Sequence, residues 1–92
     1  MRGPASLGFT IADTRQGVVV DAVDRYSAAA RAGVRPGQVI LALNRRTVRS
    51  AADFEAALRS ASQAGVLSLR VRDPEVGETM VNYQPEPAHA GR

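Results

Sequence analysis

The stretch Ser27-Ala28-Ala29-Ala30-Arg31-Ala32-Gly33-Val34-Arg35-Pro36-Gly37-Gln38-Val39-Ile40 carries more structural instructions than any other part of the chain. Ser27 can accept a backbone N–H and so N-cap a short helix over residues 28–32. Gly33 suits the left-handed position that closes such a helix. The alanines leave little bulk, so the helix can lie close against a sheet. Pro36 and Gly37 occupy the second and third places of a type II turn begun by Arg35. After the turn, Val39, Leu41 and Leu43 alternate with Ile40 and Ala42, which predicts a central strand.

Working outward toward the N-terminus, Gly17-Val18-Val19-Val20-Asp21-Ala22-Val23 is a β-branched run. It reads as a strand buried on both faces. Asp24-Arg25-Tyr26 turns the chain. Before the run, Ala12–Gln16 reads as a polar connection, and Leu7–Ile11 as a first strand. In that strand Leu7, Phe9 and Ile11 alternate with Gly8 and Thr10. A glycine at the mouth of a strand suggests backbone N–H groups lying open to a ligand. Open amides beside an apolar pocket suit a chain end, with its carboxylate on the amides and its last side chain in the pocket. Taken alone, Ser6–Ile11 reads better as an ordinary edge strand.

Toward the C-terminus, Asn44-Arg45-Arg46 reverses direction and Thr47-Val48 is a very short strand. Ser50-Ala51-Ala52-Asp53 has the capping-box spacing and opens a helix over about residues 51–63, ended by Gly65. At 100° per residue, Ala51, Glu55, Leu58 and Ser62 fall on one stripe, and Phe54, Ala57 and Ala61 on a neighbouring one. The Phe54 stripe reads as the core contact. The Ala51/Glu55/Leu58 stripe mixes small, charged and apolar residues, as a partly open groove would. Residues 66–72 and 78–83 form a hairpin around Asp73-Pro74-Glu75-Val76-Gly77. Residues 1–5 read as a loose leader, 6–83 as a single domain and 84–92 as a frayed tail. The fold class is α+β: five or six strands in a partly open β-barrel or sandwich, capped by one short and one longer helix.

Composition narrows the function classes. The chain has 92 residues, of which 45% are apolar and 23% charged, enough for one modest core. It lacks cysteine, which excludes disulfides, thiolate metal sites and a cysteine nucleophile. The single histidine, His89, lies in the Pro-rich tail, so a Ser-His-Asp triad has no base within the folded region. The phosphate-binding glycine loops and nucleophile elbow are absent from the sequence. Asp13, Asp21, Asp24 and Asp53 lack metal-ligand spacing; Asp53 reads as a cap and Asp24 as a turn residue. Neither catalysis by this chain, nor a metal, nor a cofactor is expected. The net charge is +3, but the arginines are scattered, and four aromatics are too few to stack nucleic-acid bases. Nucleic acid is therefore not an expected partner. No apolar run approaches the length of a membrane span, and Met1-Arg2-Gly3-Pro4 carries no apolar signal region.

These pieces resemble the PDZ domain family. Ser6-Leu7-Gly8-Phe9 is similar to its carboxylate-binding Gly-Leu-Gly-Phe motif. Ser27–Ile40 resembles its short alanine helix running into Leu/Val-x-Pro-Gly-Asp-x-Ile, with Gln38 in place of the usual Asp. Leu43-Asn44 resembles the turn that follows, and Ser50–Leu58 the groove helix. With six residues ahead of the loop and an extra strand at Thr79–Tyr83, the layout looks like the permuted bacterial arrangement. Within it, the chain is most similar to the second, C-terminal PDZ domain of Do-type (HtrA) periplasmic serine proteases. The resemblance implies peptide capture by β-augmentation, with the N–H groups of Leu7, Gly8 and Phe9 on the carboxylate. Thr10, Ile11, Ala51, Glu55 and Leu58 would line the groove, and Leu7, Phe9, Ile11 and Leu58 its terminal pocket. Ala51 stands where many scaffold PDZ domains have a His that selects Ser or Thr, so a hydrophobic residue is expected two places upstream of the chain end. The implied partners are C-terminal or unfolded peptide segments, and the protease domain and neighbouring PDZ domains of a parent serine endopeptidase. That parent would be periplasmic or otherwise exported and compatible with membrane association. The alternatives are an assembly module that binds no peptide, or the PDZ domain of a tail-specific or site-2 protease.

Overall fold

A computed structural model describes residues 7–61 and 66–84. The order of elements is β1 (Phe9–Thr14), β2 (Gly17–Val23), α1 (Ala28–Ala32), β3 (Val39–Leu43), β4 (Arg46–Thr47), α2 (Ala51–Ala61), β5 (Leu67–Asp73) and β6 (Gly77–Tyr83). The strands form one antiparallel sheet in the order β1-β2-β3-β5-β6, with β4 paired to β3 off that path. The α+β class and the two unequal helices therefore match the expectation. The leader at residues 1–5, Ser6, Ser62, Gly65, and all of the proposed tail except Gln84 lie outside the described residues.

The Ser27–Ile40 stretch folds as its chemistry requires. Ser27 Oγ accepts the Ala30 N–H at 3.1 Å and caps α1. Gly33 closes the helix at φ 115°, donating its N–H to the carbonyls of Ala29 and Ala30. Gly37 sits at φ 94°, and the Gln38 N–H donates to the Arg35 carbonyl at 3.4 Å across the turn. Gln38 itself is buried. Its Oε1 accepts the Arg35 N–H, while its Nε2 donates to the Gly33 carbonyl and to Asp73 Oδ2 at 3.0 Å. This explains why Gln stands where the family's usual residue is Asp. An aspartate could accept from Arg35 but could not donate to the Asp73 carboxylate. The Gln38 hydrogen bond is the main reason that the Asp73 carboxyl lies below the ordinary aspartate value of 3.8; the Glu75 and Val76 N–H groups add to the effect.

Several boundaries differ from the sequence reading. β1 begins at Phe9 and runs to Thr14, so the expected polar connection shrinks to the two-residue turn Arg15-Gln16. β2 is not buried on both faces: Val18 and Val20 are buried, but Asp21 and Ala22 are exposed. Hydrophobicity along β2 reflects β-branching more than burial, and the solvent-facing side of the sheet tolerates it. The short strand is Arg46–Thr47 rather than Thr47-Val48, and Val48 instead enters the core. Asn44 and Arg45 both have positive φ, the two-residue turn that matches sheet twist. β6 starts at Gly77, and the described part of α2 ends at Ala61.

The core joins Val18, Val20, Ile40, Leu43, Leu67, Leu69 and Val71 from the sheet to Phe54, Ala57 and Ala61 from α2 and Ala29 from α1. The Phe54 stripe is thus the buried face of α2, and burying each large side chain there contributes about 1.5–3 kcal/mol. α1 packs against β6, whereas α2 packs against β3 and β1. These two placements curl the sheet and leave β1 beside α2.

Candidate functional site

The space between β1 and α2 is an apolar cavity of about 520 Å³. Leu7, Phe9, Thr10 and Ile11 form one wall; Phe54, Glu55, Leu58 and Arg59 form the other. Phe9 and Phe54 meet edge to face across its floor, with ring centroids 6.1 Å apart. Both are buried, so the floor is rigid, whereas Ile11 and Leu58 are only partly buried and offer apolar surface to an occupant.

The backbone at the mouth is arranged by its hydrogen bonds. Phe9 pairs with Val23, and the Asp24 N–H donates to the Gly8 carbonyl at 2.8 Å. In an antiparallel ladder this makes Phe9 a position whose own N–H and C=O point away from the neighbouring strand. β1 is an edge strand, so those groups face the α2 side. Gly8 has φ 91°, and a Cβ there would lie 2.6 Å from Ser27 Cβ. Glycine is thus required twice, by conformation and by the close approach of the α1 cap. Ser27 Oγ donates chiefly to the Asp24 carbonyl at 2.7 Å; its separation from the Gly8 carbonyl is 3.5 Å.

Seven of the eight sequence-derived site residues gather at this place. Leu7, Phe9, Thr10, Ile11, Glu55 and Leu58 line the cavity, and Gly8 lies in the loop at its mouth. Ala51 does not line it. It is the first residue of α2, and its N–H donates to Asp13 Oδ1 at 2.7 Å. Asp13 therefore ties the end of β1 to the start of α2, satisfying a helix-terminal donor and closing the far end of the gap. Ser50 Oγ accepts the Asp53 N–H, and Asp53 Oδ2 returns a bond to the Arg49 N–H, one residue earlier than a capping box would place it.

Sequence reasoning missed four contributors. Phe54 was expected in the core alone, yet it also floors the cavity. Arg59 is one turn beyond Glu55, and that spacing could have suggested it. Asp13 lies 38 residues from the N–H it accepts, and no local pattern announces that. Tyr83, in the last strand, donates its hydroxyl to the Leu7 carbonyl at 3.2 Å across 76 residues. Burial raises its phenol pKa well above the ordinary value of 10.0, so it stays a donor. No cluster of metal-ligating side chains occurs among the described residues, and no described helix is long and apolar enough to cross a membrane.

Comparison with known proteins shows the family and the fold. A family model of the PDZ domain matches residues 19–73. The mitochondrial serine protease HTRA2 of Bos taurus is 41% identical over 71 residues, covering 77% of this chain and 14% of that protein. A probable periplasmic serine endoprotease, DegP-like, of Chlamydia trachomatis serovar D is 48% identical over 56 residues, covering 61% and 11%. The chain thus spans less than a sixth of the length of these relatives. The crystal structure of the HtrA3 PDZ domain bound to a phage-derived ligand (FGRWV) superposes with a TM-score of 0.72 at 21% identity, covering 86% of this chain and 82% of that one. The chain belongs to the PDZ domain family, with homology to the PDZ domains of HtrA- and DegP-type serine proteases.

Proposed function

We propose that this domain captures C-terminal or extended hydrophobic peptide segments by adding them as a strand beside β1. The observation that carries the reading is the pairing of an open strand edge with an apolar cavity: Phe9 turns its N–H and C=O toward a gap walled by Ile11 and Leu58. An incoming strand gains main-chain hydrogen bonds from the edge and side-chain burial from the cavity. The N–H groups of Leu7, Gly8 and Phe9 receive the terminal carboxylate, and the last side chain enters between Leu7, Phe9, Ile11 and Leu58. Glu55 meets residues upstream. Only a few peptide residues are buried, so affinity is on the order of micromolar.

Within a parent serine protease of the Do/HtrA type, a C-terminal PDZ domain of this kind recruits substrate ends or reports their arrival to the catalytic unit. The DegP-like relatives are named periplasmic, which supports an exported parent. The chemistry of cleavage belongs to that parent and not to this chain.

Titration of the 92-residue chain with a hydrophobic C-terminal peptide and with its C-terminal amide tests the reading. The free acid is expected to bind at least tenfold more tightly. Equal binding of the two forms would overturn carboxylate capture.

A further inference from the structure

The bond from Tyr83 to Leu7 lies beneath the mouth of the cavity and plays no part in the reading above. Tyr83 closes β6, opposite Leu67 of β5, with its ring buried. Its hydroxyl donates to the Leu7 carbonyl at 3.2 Å and so ties the last strand to the loop ahead of β1.

A peptide unit is planar and trans, so its C=O and N–H point in opposite directions. Holding the Leu7 carbonyl inward on Tyr83 turns the Gly8 N–H outward. The next peptide obeys the same logic. The Gly8 carbonyl is held by the Asp24 N–H at 2.8 Å, which turns the Phe9 N–H away from β2. Two consecutive peptide planes are thus fixed from behind, by two different parts of the fold. Gly8, at φ 91°, is the joint that lets them take up these orientations. A glycine joint is also free to turn elsewhere, so the anchors have to supply the order that the residue lacks.

We propose that Tyr83 is a positioning residue for carboxylate capture: its hydroxyl locks the Leu7–Gly8 peptide so that the Gly8 N–H is already aimed at an incoming chain end. The inference rests on the peptide-capture reading and names what makes that site ready. Preorganised donors bind an anion without the cost of ordering the loop at the moment of binding. A buried hydroxyl needs a partner in any case, and the experiment therefore has to separate positioning from plain stability.

The test compares the unaltered chain with Tyr83→Phe, which keeps the ring and deletes the hydroxyl. Each is titrated with a hydrophobic C-terminal peptide as free acid and as amide. The expected result is a loss of about three- to tenfold in affinity for the acid, with amide affinity unchanged, so the acid-to-amide ratio falls. An unchanged ratio in a chain whose unaltered form prefers the acid would overturn the role of Tyr83 and leave peptide capture standing. Equal weakening of acid and amide would likewise overturn it, as the mark of a purely structural contact. No acid preference in the unaltered chain would remove peptide capture itself, and this proposal with it. Amide hydrogen exchange in the unaltered chain gives a check that needs no variant. The Gly8 N–H is expected to exchange rapidly without peptide and slowly with the acid. Strong protection without peptide would mean that it points inward, contrary to the proposal.

Discussion

At one edge of the sheet, β6 runs in unbroken register with β5 from Gly77 opposite Asp73 to Tyr83 opposite Leu67. At the other edge, β1 breaks register against β2 between Thr10 and Ile11, where Asp21 is the extra residue. The β6 edge lies against α1 and ends on a bond to Leu7. The β1 edge faces α2 across a cavity, bridged at one end by Asp13 and entered at the other past Gly8. A finished ladder spends its hydrogen bonds internally. An edge with a bulge, a glycine in the left-handed region and a helix held at a distance keeps some of them for a partner. The two edges thus divide the work, one closing the fold and the other staying open, and Tyr83 connects them.

Leu58→Glu should break the open edge and spare the closed one, and it carries the largest expected effect. Leu58 is only partly buried, at the border between core and cavity, so the charge can reach solvent when no peptide is bound. A bound apolar side chain would trap that charge, and burying an unpaired carboxylate is costly. Peptide affinity should fall at least tenfold by calorimetry, while the thermal midpoint moves by a few degrees at most. A collapse of the midpoint would show that Leu58 belongs to the core and not to the groove.

Asp73→Asn probes the closed edge and should leave peptide affinity unchanged. Asp73 accepts from Gln38 Nε2 and from the Glu75 and Val76 N–H groups, and these hold its pKa below the ordinary 3.8. A carboxylate whose folded pKa is depressed contributes stability that is present above the unfolded value and lost as pH falls through the folded one. The variant should therefore melt below the unaltered chain at neutral pH, and the gap should narrow as pH drops below 3.8. The effect is small because Asp73 is partly exposed. A gap that stays constant with pH would show that the hydrogen bonds do not depend on its charge.

Much of the closed half could be read from the sequence, because its signals are local. Ser27, Gly33, Pro36 and Gly37 each act within a few residues, and α1 and β3 have the expected bounds. The Phe54/Ala57/Ala61 stripe is legible because helical periodicity reports burial directly. The open half was harder. Phe9, Leu58 and Glu55 could be placed from the motif resemblance together with the helix stripe. The length of β1 could not, because Ala12-Asp13-Thr14 has the composition of a loop and is held as a strand by pairing with Val19, Val18 and Gly17. Asp13 and Tyr83 were invisible as site residues for one reason: each acts through a single hydrogen bond to a partner distant in sequence. Such bonds have no period and no spacing, and only the folded chain brings their partners together.

We propose above that a chain end is held in the gap between β1 and α2. Mapping backbone amide shifts by NMR while a hydrophobic C-terminal peptide is added tests it most directly. The largest changes are expected at Gly8, Phe9, Ile11, Glu55 and Leu58, with a downfield shift of the Gly8 and Phe9 amide protons and little change along β6 from Gly77 to Met80. Changes centred on β6, or saturable binding that leaves Gly8 and Phe9 unmoved, would contradict it.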